Sequence, residues 1–291
     1  MIGLGRLAQI NDRLKEIKSE CNNLPFGGLT VVLAGDFRQL PPIGDLPLYS
    51  QKGGDNHQQL GRMLYRKFDD CSYLLHSQMR QHGDANISFR EQLERLAVGK
   101  FNLDDWLAWS TRNYETLSSD EQILFYNTST LLCALKKDSV DFNHQHLKRT
   151  QNPIAKLTAV NSPGAAAFEA DQANGLKNKM YLAKDAKIVL TSNIWPEAKL
   201  VNGAQGHVKY LVYNERQQNL PDLVICHFAD YTGPTFIPGE EKLVPIVPLQ
   251  ASWTTKHKQF TRTQYPLMLG WAITIHKSQG MNTHSQTCQF L

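Results

Sequence analysis

The first quarter of the chain combines a helical period with an uninterrupted apolar run. Apolar side chains recur every three or four residues, at Leu4, Leu7, Ile10, Leu14 and Ile17. This spacing predicts an amphipathic helix. Residues 29–34 (LTVVLA) are apolar without a break, and a strand apolar on both faces belongs in the middle of a parallel sheet covered by helices. We expect a turn at Pro41-Pro42, which neither a helix nor a central strand accommodates.

Strands and helices are predicted to alternate further along. We predict strands at 73–75, 122–126 and 187–193, and helices at 85–98 and about 128–148. The first of these helices should turn four side chains inward and end at Gly99: Ile87, Leu93, Leu96 and Ala97. Such alternation predicts an α/β sheet with right-handed crossovers.

Residues 200–262 break this alternation. They contain short strand-like runs separated by Gly, Pro and Asn, with no helix between them. This pattern predicts a small antiparallel barrel inserted into the second α/β unit. The α/β character returns at 265–276, and 161–180 is predicted to be a mobile loop.

Composition restricts the class of protein only broadly. The 291 residues are 41% hydrophobic and 20% charged, enough for two packed units. We predict no signal peptide and no membrane-spanning segment. The net charge of +4 permits a nucleic-acid partner without indicating one. Five cysteines without a C-x-x-C indicate reduced thiols, and we predict no metal site at His144 and His146.

The end of the first predicted strand carries polar chemistry. Gly35-Asp36 follows LTVVLA and opens the octapeptide GDFRQLPP, which includes Gln39. Ligands of open α/β sheets collect at the carboxyl ends of strands. A glutamine amide there can hold a γ-phosphate or orient an attacking water without titrating. The alternative is a simple strand end with a turn.

Two more segments carry polar residues at predicted strand ends. Residues 75–81 (LHSQMRQ) contain Arg80, whose planar guanidinium suits paired contacts to phosphate oxygens. Residues 271–280 (WAITIHKSQG) form a buried strand that runs into a polar loop. That loop can contact the phosphates of a nucleic-acid strand through four side chains: Thr274, His276, Lys277 and Ser278. Gln279 and Gly280 are predicted to begin a helix, whose backbone N–H groups favour anions.

Together these segments resemble the RecD/Pif branch of superfamily 1 DNA helicases (the petite-integration-frequency type, including helicase proteins of helitron elements). Residues 27–45 resemble motif III, 75–81 motif IV and 271–280 motif V. Residues 190–206 are similar to the segment that leads into the family's inserted barrel, although Asn202-Gly203 is equally typical of a tight turn.

The resemblance implies an α/β fold with two RecA-like domains of P-loop NTPase type, the first truncated, and a small SH3-like β-barrel inserted in the second. Residues 1–70 would be the remnant of the first domain. Residues 71–195 and 263–291 would form the second, with the barrel at 196–262.

The resemblance also implies roles for the motif residues. Gln39 and Arg80 would be catalytic, and such an arginine is worth roughly 10³ to 10⁵ in turnover in related NTPases. Nucleotide contacts would come from six residues: Gly35, Asp36, Gln39, Arg80, Gln279 and Gly280. Thr274, His276, Lys277 and Ser278 would bind DNA. The complete protein would use ATP and Mg²⁺ to move 5′ to 3′ on single-stranded DNA and to unwind forked duplexes.

The chain departs from the family pattern in two ways. It has no G-x-x-x-x-G-K-[ST] phosphate loop, and Asp120-Glu121 indicates loop or helix-cap chemistry rather than the magnesium-binding acidic pair. The resemblance therefore implies that the chain begins just after the acidic pair and stops before the last helicase motif. We expect neither ATP nor Mg²⁺ to bind tightly to this chain alone.

Three interpretations stay open at this point. The chain could be part of an active helicase, a non-catalytic DNA-binding remnant, or an incomplete gene model. A reading frame upstream of the Met1 codon that encodes the missing loop and acidic pair would support the last, and stop codons there would support a remnant. The family implies an intracellular protein, nuclear if eukaryotic, with a mitochondrial location as the alternative. No residue selects among repair, recombination, telomere maintenance and transposon replication, or sets an oligomeric state.

Overall fold

The computed structural model describes residues 2–76, 83–111, 114–214, 220–255, 258–279, 281 and 288–290. Contacts divide the chain into two compact units, residues 1–113 and 114–291. No helix in the described ranges has both the length and the apolar character needed to cross a membrane.

The described helices and strands follow one another in mixed α/β order. The helices are α1 Leu4–Ile17, α2 Asn56–Tyr65, α3 Ile87–Ala97, α4 Leu103–Ser110, α5 Ser119–Thr128, α6 Lys136–Arg149 and α7 Ile275–Ser278. The strands are β1 Thr130–Cys133, β2 Ala155–Thr158, β3 Val160–Asn161, β4 Lys179–Leu182, β5 Lys187–Leu190, β6 Gln205–Val212, β7 Leu223–His227, β8 Leu243–Ile246, β9 Leu249–Thr255, β10 Lys258–Gln264, β11 Leu267–Leu269, β12 Ala272–Thr274 and β13 Cys288–Phe290.

The first unit is built on the predicted amphipathic helix. Helix α1 packs against α2, and its apolar face enters a core that consists of Leu4, Leu7, Phe26, Leu48 and Leu64. The prediction of α1 is therefore confirmed, except that its last apolar position, Ile17, remains 73% exposed.

The residues after Pro41-Pro42 fasten the motif III segment to α1. Both Asp45 carboxylate oxygens accept hydrogen bonds from the first turn of α1, from Gly5 N at 3.1 Å and from Arg6 N at 3.0 Å. Gln58 Nε2 of α2 donates to the same carboxylate at 3.1 Å. Asp45 thus caps a helix that begins 41 positions earlier in the chain (45 − 4), and a negative charge at that end is favourable.

The predicted strand at 29–34 is wrong. These residues belong to no strand ladder, and Val32 is 85% exposed. A central strand requires hydrogen-bonded neighbours on both sides. Among residues 2–76 and 83–111 the structure contains only one isolated bridge, between Gly3 and Pro47. The apolar run therefore has no neighbouring strand within the described part of its own unit.

Two further predictions for the first unit need correction. Residues 73–75 form no strand, and Tyr73 and Leu75 are more than nine-tenths exposed. The predicted helix at 85–98 is confirmed as α3, with Gly99 at a left-handed φ of 71° after it. Its predicted inward side chains are wrong, because no residue of α3 is fully buried and Ile87 is 42% exposed.

At the start of the second unit, a predicted strand is a helix, and the first part of a predicted helix is a strand. Residues 122–126, predicted as a strand, lie in helix α5. Ser118 and Glu121 form a capping box in front of it, because Ser118 N donates to Glu121 Oε2 at 2.9 Å and Glu121 N to Ser118 Oγ at 3.4 Å. This confirms the helix-cap interpretation of that segment. The predicted helix at 128–148 begins instead with strand β1, all four residues of which are buried, and its remainder is confirmed as α6.

The second unit contains a small parallel sheet. Its order is β12–β1–β13, and both pairs are parallel. In the first pair Leu131 lies opposite Ala272 and Cys133 opposite Thr274. Helix α6 packs on β1 and β12. The predicted return of α/β character at 265–276 is confirmed by this pairing, which joins the start of the unit to motif V.

Residues 187–269 contribute an antiparallel sheet of order β11–β5–β6–β7–β8. The predicted strands at 187–193 and within 200–262 are confirmed, but the sheet also takes in β5 and β11, which lie outside the predicted insertion. Strands β3, β10 and β9 form a separate three-stranded sheet. The SH3-like barrel and the four-part division of the chain stay predictions.

The segment 161–180 is anchored rather than free, contrary to the predicted mobile loop. Arg262 of β10, which has no exposed surface, donates to Leu176 O at 2.9 Å and to Ala165 O and Phe168 O at 2.8 Å. Its Nε donates to Asn161 Oδ1 at 2.9 Å. Every guanidinium nitrogen is thus hydrogen-bonded, which offsets the cost of burying the charge.

We expect Asp45→Ala to weaken the first turn of α1 by about 1 kcal/mol, the typical value of a helix cap. Burial raises the pKa of Asp45, but its four hydrogen-bond donors outweigh that effect and hold the pKa below the ordinary value. The stabilisation is therefore complete above the unfolded pKa of about 3.9 and is lost as the pH falls through the lower folded pKa.

Hydrogen exchange of the α1 amides between pH 3 and pH 7 measures this effect. At pH 7 exchange should be about fivefold faster in Asp45→Ala than in the wild type, and the difference should shrink as the pH falls below about 3.9. Asp70→Ala, which removes an exposed carboxylate of the same unit, is the control. Equal exchange in Asp45→Ala and the control at pH 7 would rule out the cap.

Candidate functional site

The predicted DNA-contacting residues lie together at the carboxyl end of β12. Thr274 ends that strand and precedes the single turn of α7. His276 and Lys277 are exposed on α7, and Thr274 and Ser278 are half-buried. The turn is closed by Ser278 Oγ, which donates to Ile275 O at 2.7 Å. A buried strand therefore presents hydroxyl, imidazole and ammonium groups on one short loop.

The predicted helix start at Gln279 and Gly280 needs correction. Helix α7 begins at Ile275 and ends at Ser278, so that Gln279 follows its last turn with extended backbone (φ −60°, ψ 124°). The backbone N–H of Gln279 is thus not at a helix N-terminus, and the stated reason for an anion contact there fails. Gly280 lies outside the described residues.

Asn143 of α6 fixes the strand that carries this loop. Its Nδ2 donates to Ala272 O at 2.6 Å, and Ala272 N donates to its Oδ1 at 3.0 Å. Strand β12 is at the edge of its sheet, so the side-chain amide takes the position that a further strand would occupy. The pairing satisfies edge groups that would otherwise be buried without a partner.

Sequence reasoning missed Asn143, and the pattern offered little to find it. Asparagine in a helix interior is ordinarily neutral or unfavourable, because its side chain competes with the backbone. Here the side chain is 5% exposed and also donates to Ser139 O at 2.7 Å. The signal that was available is a polar residue on the buried side of a helix.

Aromatic rings pack along α6. His146 stacks on Phe142 at 4.3 Å between ring centroids and lies 5.7 Å from Trp271, the residue before β12. Burial lowers the pKa of His146, and the neighbouring charges of Arg149 and Lys187 lower it further, whereas hydrogen bonds raise it. A neutral imidazole therefore packs beneath the strand as part of the core.

The segment 190–206 lies against motif V. Asn202 N donates to Asn193 Oδ1 at 2.8 Å and so closes the turn that contains Gly203. Gly203 has a φ of 95°, and a Cβ there would approach Met281 Cγ to 3.0 Å. The turn thus requires glycine for its backbone and leaves room for the residue that follows motif V. This segment and motif V belong to one local structure.

Gln39 lies in the first unit, in a hydrogen-bonded turn. Gln39 N donates to Asp36 O at 3.1 Å, and Arg38 N donates to Asp36 Oδ1 at 2.9 Å. Phe37 anchors the turn by an edge contact to Tyr49 at 5.3 Å between ring centroids. The side chain of Gln39 is exposed, and no atom other than its chain neighbours would meet a Cβ at Gly35 within 4 Å.

The residues that were predicted to meet at the nucleotide are only partly described. Arg80 falls in 77–82, outside the described residues, and Gln39 and Gln279 belong to different units. What the structure brings together is the set on motif V: Thr274, His276, Lys277, Ser278 and Gln279. The convergence of Gln39, Arg80 and Gln279 on one nucleotide stays a prediction.

The residues that are present do not by themselves fit ATP and Mg²⁺. P-loop NTPases hold the triphosphate and the metal with a phosphate-loop lysine, a hydroxyl and an acidic side chain. The sequence has no such loop, and Asp36 uses its carboxylate within its own turn. Within the described ranges no three His, Cys, Asp or Glu side chains are arranged as metal ligands.

Comparison with known proteins agrees with this organisation. Residues 5–95 match the family model of the PIF1-like helicase. The ATP-dependent DNA helicase PIF6 of Trypanosoma brucei brucei is 29% identical over 88% of this chain, and PIF1 of Danio rerio is 26% identical over 94%. The chain spans 32% and 39% of the lengths of these curated relatives.

Solved structures agree on the fold. The Pif1 helicase of Candida albicans matches with a TM-score of 0.65 and 24% identity, over 96% of this chain and 61% of that one. Bacteroides Pif1 bound to ssDNA matches with a TM-score of 0.59 and 18% identity, over 100% of this chain and 62% of that one.

The mixed α/β fold is therefore that of these Pif1 structures, as the sequence predicted. With the family match and the curated relatives, the chain is similar to the PIF1-like helicases. ATP-dependent DNA helicase is the activity that the names of those relatives give.

We expect Asn143→Ala to destabilise the second unit, because it leaves Ala272 N and Ala272 O without their partner. Each buried group left unpaired costs about 1–3 kcal/mol. Urea unfolding should therefore show a lower midpoint, and hydrogen exchange should lose protection at the Ala272 amide. Gln145→Ala, at an exposed position of the same helix, is the control and should change neither. Full protection of Ala272 in Asn143→Ala would contradict the clamp.

Proposed function

We propose that this chain is the part of an ATP-dependent DNA helicase that grips single-stranded DNA and couples the grip to ATP hydrolysis. In the complete protein the coupling would drive 5′–3′ translocation and the unwinding of forked duplexes. The observation that carries the proposal is the exposed motif V loop, Thr274 to Ser278, on the end of a buried parallel strand. DNA as the partner is supported by two neighbours, Bacteroides Pif1 bound to ssDNA and a structure of two Pif1 helicases unwinding forked dsDNA.

The proposed division of labour follows the two predicted RecA-like domains, residues 1–70 and residues 71–195 with 263–291. In the first, Gln39 would sense the γ-phosphate, with Gly35 and Asp36 beside it. In the second, Arg80 (placed there by the predicted domain division) would reach the same phosphate, and Gln279 and Gly280 would contact the nucleotide. ATP would bind between the two RecA-like domains, and closing that cleft would alternate the grip on DNA. ATP and Mg²⁺ would be held mainly by residues that this chain does not contain.

The isolated 291-residue chain, by the same reasoning, binds single-stranded DNA but does not hydrolyse ATP. Phosphate contacts of the motif V loop need no nucleotide, whereas hydrolysis needs the phosphate loop that this sequence lacks. The isolated chain would therefore be a non-catalytic DNA-binding protein. The helicase activity would belong to the complete protein.

We expect the purified chain to release no phosphate from ATP above background, with or without oligo-dT. A coupled phosphate-release assay at saturating Mg²⁺ measures this directly. Arg80→Ala should leave the background unchanged. Turnover that is stimulated by oligo-dT and abolished by Arg80→Ala would contradict the proposal, because it would show a working nucleotide site.

We expect Lys277→Gln to weaken binding of a 15-nucleotide oligo-dT and to flatten its salt dependence. One phosphate contact to a single strand contributes about 0.7 to the slope of log K against log salt, which corresponds to roughly fivefold in affinity at 0.1 M. Fluorescence anisotropy from 0.05 to 0.4 M salt measures both quantities. Lys184→Gln removes an exposed lysine of the same unit and is the matched control. Unchanged slope and affinity in Lys277→Gln would remove the DNA-grip assignment.

A further inference from the structure

The second unit contains a cavity that no predicted site residue lines. It has a volume of about 240 Å³ and lies between helix α6, residues 177–181 and strand β11. Its polar lining includes Lys177, Lys179, His144 and Tyr181. The ring of His144 meets that of Tyr181 edge-on at 5.5 Å between centroids, which defines one wall.

The lining is cationic and has no acidic partner. The described residues that form it include two lysines and one histidine but no Asp or Glu. Lysines elsewhere in this unit do find carboxylates, since Lys136 lies 3.7 Å from Asp171 and Lys209 lies 3.3 Å from Asp185. Within the described ranges, neither lysine of the cavity makes an ion pair. Two ammonium groups therefore share a recess without an internal counter-charge.

The recess is close to the strand that carries the motif V loop, because Asn143, which is hydrogen-bonded to Ala272 of β12, lines it as well. Lys177 stays accessible as a residue, but the protein around it desolvates the ammonium, so burial lowers its pKa. The charge of Lys277 lowers the pKa of Lys177 further. The lysine assigned to the DNA grip and a lysine of the cavity thus repel one another, and an anion beside both would relieve that repulsion.

The size of the cavity restricts the ligand. A volume of 240 Å³ corresponds to about eight water molecules at ~30 Å³ each. Sites for drug-sized ligands are larger, about 300–1,000 Å³. The cavity therefore suits a phosphate group with part of its sugar rather than a whole nucleotide.

We propose that this cavity is a second phosphate subsite for single-stranded nucleic acid, in which Lys177 and Lys179 receive a backbone phosphate of the strand that Lys277 contacts. His144 and the Tyr181 hydroxyl border the subsite and can donate hydrogen bonds to phosphate oxygens. The inference rests on the proposed DNA grip of motif V. It adds a contact outside the helicase motifs, on the face where α6 meets β4.

The test compares Lys177→Gln/Lys179→Gln with Lys148→Gln/Lys184→Gln, which removes the same charge from exposed positions of the same unit. The full chain is titrated into 15-nucleotide oligo-dT at several salt concentrations. The cavity variant should lose about 1.4 of slope and roughly 25-fold in affinity at 0.1 M, the values for two lost contacts to a single strand. Lys177→Arg/Lys179→Arg keeps both charges and should restore binding, which separates loss of charge from misfolding.

The outcomes distinguish this inference from the proposed function. If Lys277→Gln weakens binding but the cavity variant matches its control, the subsite is wrong and the motif V grip stands. If the wild type does not bind oligo-dT at all, the proposed function fails and the subsite fails with it.

Calorimetric titration of the full chain with inorganic phosphate is the second experiment. Phosphate binding that depends on Lys177 and Lys179, without any change in oligo-dT affinity, would identify a small-anion site and overturn the nucleic-acid assignment.

Discussion

The paired hydrogen bonds between the Asn143 amide and the main chain of Ala272 govern the geometry of the second unit. The two residues are 129 positions apart in sequence, and between them lies the entire antiparallel sheet. By occupying the open edge of β12, the amide fixes where that strand ends and therefore where Thr274 and the α7 turn emerge. The pairing of β1 with β12 sets the register, and Asn143 closes the remaining side. The proposed grip of motif V on DNA thus depends on a contact within the protein, as a functional loop depends on the scaffold that positions it.

Local charge matters more in this molecule than net charge. A formal charge of +4 over 291 residues is unremarkable, and by itself it favours no partner. The fold nevertheless gathers Lys177, Lys179 and Lys277 from segments about 100 residues apart, and places no carboxylate of the described residues within ion-pair distance of them. Clustered cations without ion-pair partners in the protein are typical of surfaces that bind a polyanion.

The sequence predicted the class of the fold and the motif V loop more accurately than it predicted individual strands. The motif V strand and loop were predicted correctly because a short polar segment after a buried strand is a local signal, although α7 begins four residues before the predicted helix start. The strand prediction at 29–34 failed because an apolar run indicates only that a segment tends to be buried. It does not indicate whether neighbouring strands are present to pair with it. Residues 122–126 and 130–133 were exchanged because short apolar runs of similar composition fit a strand or a helix equally well. The cap at Ser118 and Glu121 was the local signal that favoured the helix.

Asn143 and the basic cavity were beyond sequence reasoning, since both arise only when distant segments meet.

The buried guanidinium of Arg262 has a practical consequence for dividing the chain. Its donors reach Asn161, Ala165, Phe168 and Leu176 from a strand about 90 residues later. An expression boundary placed anywhere between 180 and 258 would separate the arginine from the carbonyls that solvate it, and would leave an uncompensated charge in an apolar interior. A shortened version of this protein should therefore keep residues 161–264 together, whatever else it omits.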